Sequence, residues 1–173
     1  MIKFSSHSGI YTLESEQTLP ISLAEAWRFF SSPANLAKIT PDHMGFSITS
    51  PESKKAYPGQ IITYNVGVLP LIRMNWVTEI TQVEEGQYFI DEQRFGPYSM
   101  WHHEHHFIET EHGVLMYDKV SYKLPLGPLG HLAHSIFVKR QLKQIFEYRF
   151  KILEDMFPAK SMNGVSSVGV PVL

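Results

Sequence analysis

Between Gln60 and Leu124 the chain alternates apolar and polar residues in five successive runs, and this constrains the fold more than any other feature. The runs cover residues 60–66, 73–83, 88–95, 100–108 and 114–124. A two-residue period puts successive side chains on opposite faces of a strand. The connections Glu84-Glu85-Gly86-Gln87, Gly96-Pro97-Tyr98 and His112-Gly113 are too short for crossovers. The strands they join therefore pair antiparallel in chain order. Gly9–Leu19 and Phe46–Thr49 read as two further strands, about seven in all.

The remaining patterned segments are helical. Ser22 with Glu25 three residues later has the spacing of a capping box, and Leu23, Ala26, Trp27 and Phe30 fall on one face behind it. A second short helix is expected over Ala34–Ile39, between Pro33 and Pro41. After the break Pro125–Gly130, a long helix runs from about His131 to Phe157, with Ile136, Leu142, Ile145, Phe146, Leu153 and Met156 as its apolar stripe. A long antiparallel sheet curls, and this helix alone is long enough to cover the concave face. The expected architecture is α+β: a curved sheet gripping a C-terminal helix, with room between them. Residues 1–157 form one domain in this reading, and 158–173 a loose tail.

The stretch Trp101-His102-His103-Glu104-His105-His106-Phe107 carries the chemistry. Its face with Trp101, His103, His105 and Phe107 is flanked by large aromatics and so points inward. The face with His102, Glu104 and His106 reads as solvated. Taking His112-Gly113 as the loop pairs Glu111 with Val114, Phe107 with Asp118, His105 with Val120 and His103 with Tyr122. Taking Glu84–Gln87 as a loop pairs Ile80 with Asp91, Thr78 with Gln93 and Trp76 with Phe95. Opposed residues share a face. The inner face then gathers Trp76, Thr78, Asp91, Gln93, Trp101, His103, His105, Phe107, Asp118 and Tyr122. Buried polar groups cost free energy unless partnered, so these form an expected polar strip inside an apolar cavity.

Composition removes several alternatives. With 15 basic and 17 acidic residues the net charge is −2, and the basic residues are dispersed. No electrostatic footprint for nucleic acid results. Cysteine is absent, which excludes disulfides, thiolate metal sites and cysteine nucleophiles. The N-terminal stretch has no long apolar core of a signal peptide, and no apolar run approaches the ~20 residues of a membrane helix. A cytoplasmic protein without membrane insertion is the expectation. Oligomeric state is not fixed by the sequence.

The segments LAEAWRFFSSPANLAKITP, DEQRFGPYSMWHHEHHF and DKVSYKLPLGPLG resemble the SRPBCC superfamily, the START-like, Bet v 1-like and polyketide cyclase-like proteins of helix-grip fold. The likeness covers roughly residues 8 to 157 and is greatest to small bacterial ligand-binding members. In these, a phrase matching Gly96, Pro97, Tyr98, Trp101, His103, His105 and Phe107 recurs, followed by Asp118, Val120 and Tyr122. The resemblance implies a cavity between sheet and helix that holds a lipid, sterol, polyketide or other largely apolar molecule.

Two functional classes follow beside simple binding. As a cofactor-free cyclase, dehydrase or hydrolase, the protein would use His105 to move a proton and Asp118 to orient it. Tyr122 or Gln93 would then hold a carbonyl oxygen. As an interaction module it would contact a protein partner and have a side-chain-filled interior. His103-x-His105 near Asp91 and Asp118 also offers metal-ligand types. Histidines hydrogen-bonded to aspartates, knitting the sheet, are the favoured account of that pattern, so neither metal nor cofactor is expected from sequence.

Overall fold

The protein is described here from a computed structural model that covers residues 1–51, 53, 55–69 and 72–159. The alternating runs build one sheet of eight antiparallel strands: β1 (Ile2–His7), β2 (Ile10–Leu19), β3 (Ser47–Ile48), β4 (Gln60–Leu69), β5 (Ile72–Glu84), β6 (Tyr88–Phe95), β7 (Met100–Thr110) and β8 (Gly113–Lys123). Their order is β1-β2-β8-β7-β6-β5-β4-β3. From β3 to β8 each strand pairs with the next in the chain, as the short turns require.

The eighth strand is β1, which sequence periodicity did not reveal. Only Ile2 and Phe4 of its six residues are even half-buried, because an edge strand has little core to face. A tight turn at Ser8-Gly9, both with positive φ, folds it onto β2 from His7↔Ile10 outward. The early helices consequently follow the second strand rather than the first.

Helix α1 (Leu23–Phe30) starts at Ser22 with both hydrogen bonds of the capping box in place, and buries Ala26 and Trp27. The segment expected as a second α-helix is a 3-10 stretch, Pro33–Ile39, followed by another at Asp42–Met44. At the C-terminus, α2 (Pro128–Ala133) and α3 (Lys139–Met156) are joined by a π-helical turn over His134–Val138. The wider turn shifts the helical phase. Leu142, Phe146, Arg149 and Leu153 are buried while Ile136, expected on the same stripe, is 70% exposed. The tail expected from Pro158 lies, from residue 160 onward, outside the described residues.

Register decides what meets what on the concave face. The β7–β8 turn is Glu111-His112, with Thr110 opposite Gly113, so the pairs are Phe107↔Met116, His105↔Asp118, His103↔Val120 and Trp101↔Tyr122. This differs by two residues from the expected register. A slip of two keeps every side chain on its face; a slip of one would have inverted them. Gly113 belongs to the strand, with φ 124°, and its α-carbon packs so closely on the Leu19 carbonyl that no Cβ fits.

Between β5 and β6 a three-residue loop begins from Glu84↔Tyr88 and an irregularity follows at Thr81. Together they restore the expected Ile80↔Asp91 and Thr78↔Gln93, whereas Phe95 meets Val77 rather than Trp76. β8 shows the outcome most clearly: Val114, Met116, Asp118, Val120 and Tyr122 are buried in strict alternation. One core group packs Trp27, Phe89, Phe107, Met116 and Leu153; a second packs Leu13, Val120, Tyr122, Leu142 and Phe146.

Candidate functional site

A cavity of about 610 Å³ lies between the concave face and the C-terminal helices. That size suits a small organic molecule. Ile62, Tyr64, Val66, Trp76 and Ile80 line it from β4 and β5, Phe89 from β6 and Trp101 from β7. Phe137, Val138, Leu142, Ile145 and Phe146 line it from the helical side. Ile72, Leu126 and Leu129 line the cavity yet are 49–76% exposed, which places them at its rim.

The charged and imidazole groups of the lining are gathered at one place. Asp91 of β6 and His103 and His105 of β7 face the cavity. Directly behind them, buried and outside the lining, lies Asp118 of β8. Asp118 Oδ1 lies 3.1 Å from His103 Nε2 and 2.9 Å from His105 Nδ1. On the cavity side Asp91 Oδ2 lies 2.9 Å from His105 Nε2 and 3.5 Å from His103 Nδ1. Each imidazole is thus set between two carboxylates. Ring packing fixes them further: Phe89 stacks on His105 at 4.2 Å between centroids, and the two imidazoles lie 3.7 Å apart. The register explains the geometry, since His105 opposes Asp118 and His103 opposes Asp91.

Arg149 completes the cluster from α3. It is buried, lines the cavity and brings Nη1 to 3.9 Å from Asp118 Oδ1. Its guanidinium also lies 4.9 Å from the Phe146 ring centroid. Arg149 was not among the residues expected on the inner face; its position on the Leu142, Phe146, Leu153 stripe was the available signal.

Burial works against ionisation of Asp118, but hydrogen bonds and charge from His103 and His105 outweigh it and hold the carboxyl far below its ordinary range. Asp91 is also held low: burial is outweighed by the His105 hydrogen bond and the charges of His103, His105 and Arg149. For His105, burial disfavours the imidazolium, yet hydrogen bonds to both aspartates raise its pKa. His103 goes the other way. Burial and the neighbouring His105 push it down, and Asp118 and Asp91 only partly offset them. The two imidazoles are thus shifted in opposite directions within one cluster.

Of the ten residues gathered on the inner face from sequence, Trp76, Thr78, Asp91, Trp101, His103 and His105 line the cavity. The other four lie elsewhere. Gln93 clamps the β6–β7 turn, donating to the Tyr98 carbonyl at 2.6 Å and accepting from its N–H at 3.2 Å. Phe107 packs edge-on against Trp27 in the core, 5.5 Å between centroids. Asp118 is the buried support just described. Tyr122 shares a 2.8 Å hydrogen bond with His134 of the π-helical turn. Thr78 is bonded to Tyr64 at 2.7 Å between hydroxyls. On the outer face, His102 pairs with Glu92 and His106 with Glu104, a half-exposed ladder away from the cavity.

This arrangement of sheet and helix recurs in solved structures. A protein of Rhodobacter sphaeroides superposes with a TM-score of 0.66 at 16% identity, covering 92% of this chain and 99% of its own. A protein of Thermus thermophilus gives 0.65 at 15% identity, covering 87% and 99%. Ara h 8.0201, a Bet v 1 allergen, gives 0.55 at 17% identity over 85% of this chain and 99% of its own. The fold is Bet v 1-like, of the helix-grip type. No protein-family model matches the chain, and no curated protein matches it significantly. Among the described residues no helix is long and apolar enough to cross a membrane.

Proposed function

We propose that the protein binds a small, largely apolar molecule that carries an oxygen acceptor at one end. The observation that carries this reading is the contrast within the cavity. Its wall is mainly apolar and aromatic, with a few neutral polar groups such as Asn35, Thr40 and Gln141, and its charged and imidazole groups are all gathered at Asp91, His103, His105 and Arg149. Two buried N–H donors without a hydrogen-bond partner add to it, Trp76 Nε1 and Arg149 Nε, and Ser31 Oγ is a third buried group without one, all on residues that line the cavity. A buried unpaired N–H costs roughly 1–3 kcal/mol. A carbonyl or carboxylate oxygen of a ligand would recover part of that while the apolar body fills the space. Few polar groups in an apolar pocket orient a ligand rather than hold it by charge alone.

Acid–base turnover is the second reading, favoured by the shifted pKa values gathered at one cavity wall. Both nitrogens of His105 are engaged by carboxylates. A proton on that ring would reach a substrate through Asp91, the carboxylate that lines the cavity, with Asp118 holding the ring. The roles of Tyr122 and Gln93 as carbonyl anchors have no support in their positions. An interaction module would have its interior filled by side chains, and this cavity is open.

Native mass spectrometry on freshly purified, untagged protein tests binding directly. A mass excess of a few hundred daltons that disappears on denaturation is expected. A bare chain mass, combined with no uptake of an environment-sensitive anionic naphthalene dye, would sink the proposal. Conversion of a bound compound during incubation would favour the second reading.

A further inference from the structure

The same cluster has a feature that ligand binding does not require. One donor atom from each of Asp91, His103 and His105 lies within 4.8 Å of the other two. His105 Nε2 to Asp91 Oδ2 is 2.9 Å and His103 Nδ1 to the same oxygen is 3.5 Å. Metal–nitrogen and metal–oxygen bonds of about 2.0–2.1 Å set neighbouring ligand atoms roughly 2.9–3.4 Å apart, so two edges of the triangle already have nearly that length. The longer edge exceeds a hydrogen bond. With His103 Nε2 donating to Asp118, the Nδ1 lone pair would face the Asp91 carboxylate, an arrangement that suits a shared cation.

The outer partner is in place as well. Imidazoles that ligate metals almost always donate their other N–H to a carboxylate, carbonyl or water, which fixes the ring. Here a single buried oxygen, Asp118 Oδ1, serves both rings at 3.1 and 2.9 Å. All three donors line the cavity whereas Asp118 does not, so the coordination positions they leave open point into the cavity.

We propose that Asp91, His103 and His105 form a site for a divalent first-row transition ion, with Asp118 as the positioning residue behind both imidazoles. Two imidazoles and one carboxylate with open positions match zinc or iron(II). The proposal stands on these donors alone and does not need an organic ligand, so either reading can fail without the other. An oxygen donor of a cavity ligand would complete the shell.

The experiment is titration of chelator-treated full-chain protein with cobalt(II), with no organic compound present, followed by ligand-field absorption. One equivalent is expected. The His102→Gln/His106→Gln variant, which removes the outer-face imidazoles, should titrate like wild type. Asp91→Asn should bind at least tenfold more weakly, and Asp118→Asn about 10–100-fold more weakly, the usual effect of losing an outer partner. Since a variant within a buried cluster can fail to fold, thermal melting gives an independent reading. Cobalt should raise Tm in both wild type and the outer-face variant. No absorption bands in wild type, bands lost only in the outer-face variant, or an unmoved Tm would each overturn the site.

Discussion

His105 and Asp118 oppose one another across β7 and β8, and the imidazole Nδ1 sits 2.9 Å from the carboxylate Oδ1. Asp118 also supports His103 and faces Arg149. Among the described residues it is the one carboxylate within 4 Å of all three basic members of the cluster. Replacing it by alanine leaves a buried guanidinium and two imidazoles without their common partner. Breaking a buried pair by removing one member costs about 3–5 kcal/mol. Asp118→Ala should lose stability on that order in urea unfolding. Asp118→Ala with Arg149→Met, which removes the stranded cation too, should recover a large share. Equal stability of the two variants would show that Arg149 and Asp118 are not coupled.

Phe107 separates core from site. It is 5% exposed, packs against Trp27 and Phe30, and does not line the cavity. Phe107→Ala should cost about 3–5 kcal/mol of stability, the usual effect of deleting a buried aromatic. Dye binding per folded molecule should be unchanged. Weakened binding with stability intact would instead place Phe107 in the site.

The rim can be blocked without touching the core. Ala133 lines the cavity but is exposed to solvent, so a large side chain there finds room outward as well as over the opening. Ala133→Trp should keep a near-wild-type Tm and slow or abolish dye uptake. Unaltered uptake kinetics would mean that ligands enter by another route.

What the sequence made legible depended on parity more than on exact alignment. The pairing inferred for β7 and β8 was two residues out, yet Trp101, His103, His105, Asp118 and Tyr122 still came to one face, because faces repeat every two residues. At β5 the short loop and the irregularity at Thr81 offset each other, which returned Asp91 beside Ile80. Periodicity could not say which inward side chains border a void. Phe107 and Tyr122 point inward as firmly as Trp101, but α1 covers one and the π-helical turn meets the other. Arg149 escaped because an arginine on an apolar stripe reads as surface until its carboxylate partner on another element is known.

His134 gives the last prediction. It is buried in the π-helical turn, stacks on Tyr11 at 3.5 Å and shares a hydrogen bond with Tyr122. Burial pushes its pKa down from the ordinary 6.5, and the nearby Lys139 and His131 add to the shift. In the window below pH 6.5 and above the lowered value, the unfolded chain therefore binds a proton that the folded chain does not. Stability rises with pH wherever the unfolded state holds more protons. It should accordingly fall as pH drops through this window, and level off, for this group, below the folded-state pKa. His134→Gln keeps a side chain able to bond the Tyr122 hydroxyl but cannot titrate. Urea midpoints measured across mildly acidic pH should decline less steeply for His134→Gln than for wild type. Parallel slopes would show that protonation of His134 is not linked to folding.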